Sequence, residues 1–350
     1  MPINIHILGA GAIGQLVGHE LVSALGTRVN PILLMRSPQA LGAYIKNYKS
    51  RVGVSSTDYD GIVHKRYQHL QAYCSPRQFD GPIENLILST KAHCSAAALQ
   101  KYVPKLTPAS NILILQNGMG VYDMLVERYF QDPATRPRFF QGITTHGAVR
   151  VNPHMVTHLG NGAIRVAPIK HQMDTPPEFI QLMMESSVLN TSYLPYSQLL
   201  VAQLEKLVVN AVINPLTAIH DCRNGDLLKS SQIKRMMDKI VVESCAIIEK
   251  GYPELANIPE AQTVLHPHKL IQTVRQVCET TANNSSSMRE DILHLRNTEI
   301  NFITGHLLKL AKQHKVWSNT NWLLREMVQG RLELNRALET GAVKMIMNRQ

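Results

Sequence analysis

A glycine run near the N-terminus leaves this chain few folds to choose from. Gly9-Ala10-Gly11-Ala12-Ile13-Gly14 comes directly after Ile3–Leu8, INIHIL, which alternates apolar and polar residues as a strand does. Gln15–Leu25 then reads as a helix. A bare G-x-G-x-x-G is a weak motif; between a strand and a helix it is a strong one. The first glycine permits a tight turn and the second lets a pyrophosphate approach the backbone. The third lets helix and strand pack closely, with the helix N-terminus facing the phosphates. The expectation is an α/β Rossmann domain; a glycine turn without ligand is the alternative.

The strand Ile32–Met35 ends in Arg36. An acidic residue near this point would accept the ribose 2′-hydroxyl of NAD, whereas an arginine suits the 2′-phosphate of NADP. A surface charge after a strand is the competing reading. Residues 49–82 are polar and irregular, with room for an antiparallel strand pair. Leu86–Leu88 runs into Ser-Thr-Lys91, and Ile112–Leu115 runs into Gln-Asn117-Gly-Met-Gly120. Ligands of open α/β sheets sit at the carboxyl ends of strands, so Lys91 and Asn117 together suggest a site. His146, in QGITTHGAVR, has no carboxylate partner in sequence and reads as a hydrogen-bonded structural histidine. Val156–Val166 suggests two short strands, and His266-Pro-His268 a loop without a metal.

Near Pro195 strand signals give way to helical ones. The expected division is residues 1–195 for nucleotide binding and 196–350 for a helical substrate and catalytic domain. The second part centres on Gln203–Ala218, QLEKLVVNAVINPLTA, where Lys206, Asn210 and Asn214 recur every fourth residue. At about 100° per residue, each step of four drifts only about 40°, so the three share one side of an apolar helix. A lone ammonium is costly to bury, so this side faces water or a polar cleft. Ser197 is a candidate N-cap, and Pro215 should kink or end the helix. Further helices are expected over 229–250, 286–314 and 319–345. Ser287 and Glu290 match a capping box. Glu299 lies among apolar neighbours, where a carboxylate is either paired or functional.

The chain has 350 residues, enough for two cores, and is 44% hydrophobic and 18% charged, as soluble globular proteins are. Its net charge of +10 suits anionic ligands. The basic residues are dispersed and form no stripe with aromatics, which favours phosphate-bearing small molecules over nucleic acid. No apolar segment is expected to approach the roughly 18–20 residues of a membrane span, and with a strand beginning at Ile3 no cleavable leader is expected. Cys74, Cys94, Cys222, Cys245 and Cys278 are scattered without a CxxC pair, so the cytoplasm is the expected compartment.

Taken together, GAGAIGQL, LSTKA, QNGMG, TTHGA, EKLVVNAVINPLTAI, CRNGDL, SSSMREDI and RNTEINFITG resemble the ketopantoate (2-dehydropantoate) reductase family over nearly the whole chain, in a spelling closer to fungal members. Segments 49–82 and 251–280 match poorly and look like lineage-specific insertions. The resemblance implies a Rossmann domain followed by an all-helical domain like that of 6-phosphogluconate dehydrogenase, with substrate held between them. By similarity Lys206 and Glu299 are catalytic, and Lys206, Asn210, Asn214, Asn224 and Ser287 contact substrate, with Asn284 beside them. Gly9, Ala10, Gly11, Ala12, Ile13, Gly14, Arg36, Lys91, Asn117, Ala148 and Glu299 match positions at or near NADP, and Glu299 is shared between cofactor and substrate. The activity implied is NADPH-dependent reduction of 2-dehydropantoate to (R)-pantoate, on the way to pantothenate and coenzyme A. Neither a metal nor a nucleic acid nor a membrane is expected, and a homodimer is a guess. Two other readings remain: a reductase of another 2-keto acid, and a non-catalytic Rossmann relative with a binding or regulatory role.

Overall fold

The opening strand forms as β1 (Ile3–Leu8), and α1 (Ala12–Leu25) begins three residues into the glycine run. Its structure comes from a computed structural model that describes residues 1–58, 60–169 and 173–347, with side chains described as far as residue 341. The chain continues through β2 (Val29–Leu34), α2 (Pro38–Tyr48), β3 (Arg51–Thr57), β4 (Val63–His69), β5 (Gln71–Tyr73), β6 (Asn85–Leu88) and α3 (Ser95–Gln100). Then come β7 (Asn111–Ile114), α4 (Val121–Tyr129), β8 (Arg138–Thr144), β9 (Gly147–Asn152), β10 (Met155–Gly160), β11 (Ile164–Pro168), α5 (Glu178–Glu185) and β12 (Thr191–Tyr193). Helices alone follow: α6 (Tyr196–His220), α7 (Ser231–Gly251), α8 (Pro259–Val264), α9 (Pro267–Thr280), α10 (Ser287–Leu293), α11 (Thr304–His314) and α12 (Asn319–Met347).

The main sheet has the order β12-β11-β8-β7-β6-β1-β2-β5, parallel throughout except where β11 meets β8. Its middle strands are rich in Ile and Leu and almost wholly buried, as covered parallel strands must be. Strand order reverses between β1 and β6, the switch point at which a doubly wound sheet opens a crevice. The polar segment 49–82 supplies the expected antiparallel pair, β3 with β4. That pair joins β10 and β9 in a second sheet of order β4-β3-β10-β9.

Two compact units result: residues 1–116 with 121–199, and residues 117–120 with 200–350. The short segment 117–120, expected with the first domain, folds with the second unit. Met119 is part of that unit's core and its N–H donates to Phe302 O at 2.8 Å. Gly118, at φ +82, lies so close to Phe302 that any side chain there would strike its backbone.

The second unit is organised on α6. Leu204, Val208, Ala211, Val212 and Leu216 are fully buried. Pro215 does not end this helix, which runs on to His220. An interior proline costs about 3 kcal/mol, but each buried Leu or Val recovers roughly 1.5–3 kcal/mol relative to exposure. Thr217 Oγ1 also donates to Ile213 O at 2.7 Å, beside the break in the ladder. The helix starts at Tyr196, so Ser197 falls in the first turn instead of capping it. Against the sequence reading, α6 is long and apolar enough to cross a membrane, with mean hydropathy 1.4. However, 78% of its most apolar window is buried in protein.

The helix expected over 286–314 is broken. α10 stops at Leu293, with Leu295 left-handed at φ +54 and Arg296 N–H donating back to Asp291 O at 2.7 Å. Arg336 of α12 donates to Leu295 O and to Asn297 Oδ1, so a distant side chain holds the break. No glycine or proline marks it in sequence. His266 and Pro267 open α9: the His266 side chain accepts from His268 N–H.

Candidate active site

The glycine loop lies at the switch point, against the segment that follows β6. Gly9 adopts φ +124, and a Cβ there would sit 2.5 Å from Thr90 N. At Gly14 a Cβ would overlap the Gly9 carbonyl oxygen and stand 2.5 Å from Ser89 Oγ. Ser89 donates its hydroxyl to Gly9 O at 2.9 Å, locking the two turns together. Gly11 differs, since a Cβ would find only Ser89 O, at 3.9 Å. Two glycines are thus needed for packing and the middle one leaves open space. α1 begins with no side-chain cap and no acidic residue in its first turn. Its unbonded N–H groups and dipole suit an anion. A dinucleotide pyrophosphate therefore fits this cradle.

Arg36 is exposed, two residues beyond β2 and just before Ser37, which caps α2 by accepting from Ala40 N–H at 3.2 Å. Lys91 follows β6 and is half-buried. Gln116 ties its neighbour Thr90 to the end of β7, donating to Thr90 O at 2.6 Å. Ala148 of β9 and Ala12 of α1 pack on the same small core of Leu16, Val54 and Val156. Ala10 and Ile13 pack at the edge of the main core. His146 is a structural histidine: its ring bonds His158 at 3.1 Å and Leu189 O at 3.0 Å.

In the second unit, Lys206, Asn210 and Asn214 follow one another along α6. The first two are half-buried and Asn214 is buried. Burial pulls the Lys206 ammonium down from its ordinary value to about 8, and the Glu299 carboxylate acts against that fall. Glu299 is itself 5% exposed. It stands at the start of a 3-10 turn, Ile300–Phe302, whose Phe302 N–H and Ile303 N–H donate to Glu299 O. The same turn receives Met119 N–H at Phe302 O, so the loop carrying half-buried Asn117 sits three residues from Glu299.

Asn224 and Asn284 meet through the backbone, Asn224 N–H donating to Asn284 O at 3.1 Å. The Asn224 side chain is committed on one side, its Nδ2 donating to Thr281 Oγ1 at 2.9 Å, while Oδ1 has no partner among the described residues. Ser287 is exposed at the first position of α10 and does not cap it. The cap is Ser286, which accepts from Arg289 N–H at 3.1 Å. Ser286 Oγ also bonds Thr217 Oγ1 at 2.7 Å, which ties the run 284–287 to α6 two residues past Pro215. The sequence reading placed the cap one residue late, at Ser287, because the contact that holds Ser286 comes from a distant helix. Among the described residues no cluster of His, Cys, Asp and Glu could hold a metal ion.

Residues 5–171 match the family described as Ketopantoate reductase PanE/ApbA, and residues 198–332 its C-terminal part. A relative from Schizosaccharomyces pombe, "Probable 2-dehydropantoate 2-reductase", is 34% identical over 347 residues, covering 96% of this chain and 98% of its own. The 2-dehydropantoate 2-reductase of Saccharomyces cerevisiae is 30% identical, with 95% and 96% covered. Among solved structures, the probable 2-dehydropantoate 2-reductase panE from Bacillus subtilis superposes with a TM-score of 0.71 at 25% identity, covering 94% of this chain and all of its own.

Proposed function

The chain belongs to the ketopantoate reductase family, and from that premise we propose that it reduces 2-dehydropantoate to (R)-pantoate with NADPH, Lys206 being the general acid. Residues 1–195, Asn117 among them, would bind the nucleotide, and 196–350 the substrate. The observation that carries the reading is the placement of half-buried Lys206 with Asn210 and Asn214 along the apolar helix α6, where burial lowers the lysine's pKa to about 8. A lysine of ordinary pKa holds its proton too tightly to give it up near neutrality; one near 8 is charged at pH 7 and still a usable acid.

Hydride for the ketone carbon is the chemistry supplied by the bound dinucleotide. Negative charge then develops on the carbonyl oxygen. The Lys206 ammonium stabilises that charge and delivers its proton from Nζ. Glu299 keeps Lys206 charged while it waits. Asn210 and Asn214 offer neutral donors and acceptors to the substrate's carboxylate and hydroxyls, Asn224 its Oδ1, and Asn284 and Ser287 a polar rim. Gly9–Gly14 hold the pyrophosphate, with Arg36, Lys91, Asn117 and Ala148 along the rest of the dinucleotide. Oxidation of NADPH, followed by its absorbance with 2-dehydropantoate and a panel of other 2-keto acids, tests the substrate. A faster rate with another keto acid would displace it.

For the cofactor, Arg36 offers a bidentate partner to a 2′-phosphate. Arg36→Ala should raise the KM for NADPH by about tenfold, as loss of one charged hydrogen-bonding partner does, and leave that for NADH nearly unchanged. Equal losses with both cofactors would make Arg36 structural.

The enzyme works in the cytoplasm as a homodimer in this reading. Exposed Trp322, Leu323, Met327, Leu334 and Leu338 along α12 support it, since such a row suits a partner helix. Light scattering at micromolar concentration should give twice the chain mass; a monomer would dismiss the dimer.

A further inference from the structure

We propose that Arg150, on β9, is a second cationic clamp on the dinucleotide, gripping its pyrophosphate from the small sheet. The inference rests on the cofactor reading above. Gly9–Gly14 contains no charged side chain, so the helix N-terminus alone would face two phosphate charges there.

The small sheet comes to this loop at three points. Side chains two apart share a face of a strand, so Ala148 and Arg150 project the same way from β9. Ala148 packs with Ala12 of α1. Arg150 reaches further, and its Nη1 donates to Ala10 O, in the glycine loop itself, at 3.3 Å. Buried Gln15 fastens the turn after β9, its Nε2 donating to both Ala10 O at 2.7 Å and Pro153 O at 2.8 Å. The guanidinium is thereby held at the loop rim while the residue remains exposed. It lies close enough to help lower the His154 pKa. A guanidinium carries its N–H donors in a planar fork that matches phosphate oxygens.

β9 is an edge strand of a sheet built partly from the 49–82 segment. That hairpin therefore acquires a role in supporting the strand that carries the clamp. Buried Glu20 of α1 accepts from Arg66 of β4 at 2.8 Å, which pins the sheet's far edge to the same helix.

The test is dissociation constants for NADPH, NADH and 2′-AMP, by fluorescence titration or competition, for the parent protein, Arg150→Ala, Arg150→Gln and Arg150→Lys. The pyrophosphate is common to both dinucleotides and missing from 2′-AMP. Arg150→Ala should weaken NADPH and NADH alike, by about tenfold, and leave 2′-AMP unchanged. Arg150→Gln, which keeps a donor for Ala10 O without the charge, should behave like the alanine variant, and Arg150→Lys should recover part of the loss. Dinucleotide affinities in Arg150→Ala or Arg150→Gln within twofold of the parent would overturn the clamp and leave the cofactor reading standing. Equal weakening of 2′-AMP would make Arg150 a buttress of the loop and overturn it as well. A parent protein that binds neither dinucleotide would remove the cofactor reading, and the clamp with it.

Discussion

Lys206→Ala is expected to lower turnover by roughly 10²-fold or more, the scale of general acid catalysis, while NADPH binding, titrated separately, changes little. The glycine loop proposed to hold the cofactor's phosphates belongs to the other compact unit. Lys206→Arg should rescue poorly, because a guanidinium keeps the charge but does not release a proton near neutral pH. A fold control separates chemistry from collapse. The Lys206 pKa is depressed to about 8. Between that value and the ordinary one, an unfolded chain holds a proton that the folded chain has lost, so this group's contribution to stability rises with pH across that window. At pH 7 the folded protein therefore carries the charged lysine at a cost on the order of 3 kcal/mol, at about 1.4 kcal/mol per pH unit. Lys206→Met keeps most of the packing and sheds the charge, so its melting temperature at pH 7 should hold or rise while turnover collapses. Normal turnover in either neutral variant would dismiss Lys206 as the acid.

The glycine pair Gly14 and Gly11 should fail in different ways. Gly14→Ala forces a methyl group into the Gly9 carbonyl and the Ser89 hydroxyl, so α1 must move off β1. Overpacking of this kind costs about 1–3 kcal/mol, and NADPH affinity should drop by more than tenfold because the loop geometry goes with it. Gly11→Ala meets only one atom, at 3.9 Å, and should melt like the parent. On the proposed cofactor reading its methyl group would stand where the pyrophosphate approaches, so it too should bind NADPH poorly. Thermal melts and NADPH titrations on both variants check this. A Gly11→Ala protein with parental affinity would show that the ligand does not pass over that residue.

Local signals carried most of the architecture. The strand–glycine–helix start fixed the switch point, because close packing of β1, α1 and residues 89–90 tolerates nothing larger at positions 9 and 14. Strand ends with Lys91 and Asn117 were legible because parallel strands here are short apolar runs with abrupt polar exits. The i, i+4 stripe on α6 was legible because three polar residues stand out on a buried helix. What sequence missed depends on distant partners. The break at Leu295 is held by Arg336, 41 residues on. The cap of α10 is chosen by Thr217, 69 residues away. The loop 117–120 follows a strand of one unit and packs into the other's core, through Met119 and Phe302. Pro215 was weighted as a breaker because local propensity omits the burial that carries α6 on past it to His220. The role proposed for Arg150 was not legible for a related reason, since a lone arginine on an exposed strand carries no local mark of it.

The central claim is that a partly dehydrated Lys206, kept charged by Glu299, gives the proton to the substrate. The most direct measurement is kcat/KM for 2-dehydropantoate against pH, at saturating NADPH, in the parent and in Glu299→Gln. The parent rate should be level near neutrality and fall as pH rises through about 8, where Lys206 deprotonates. Glu299 raises that pKa, so its loss should move the falling limb to lower pH. A parent profile that stays level well above pH 9, or a limb that does not shift in Glu299→Gln, would contradict the account.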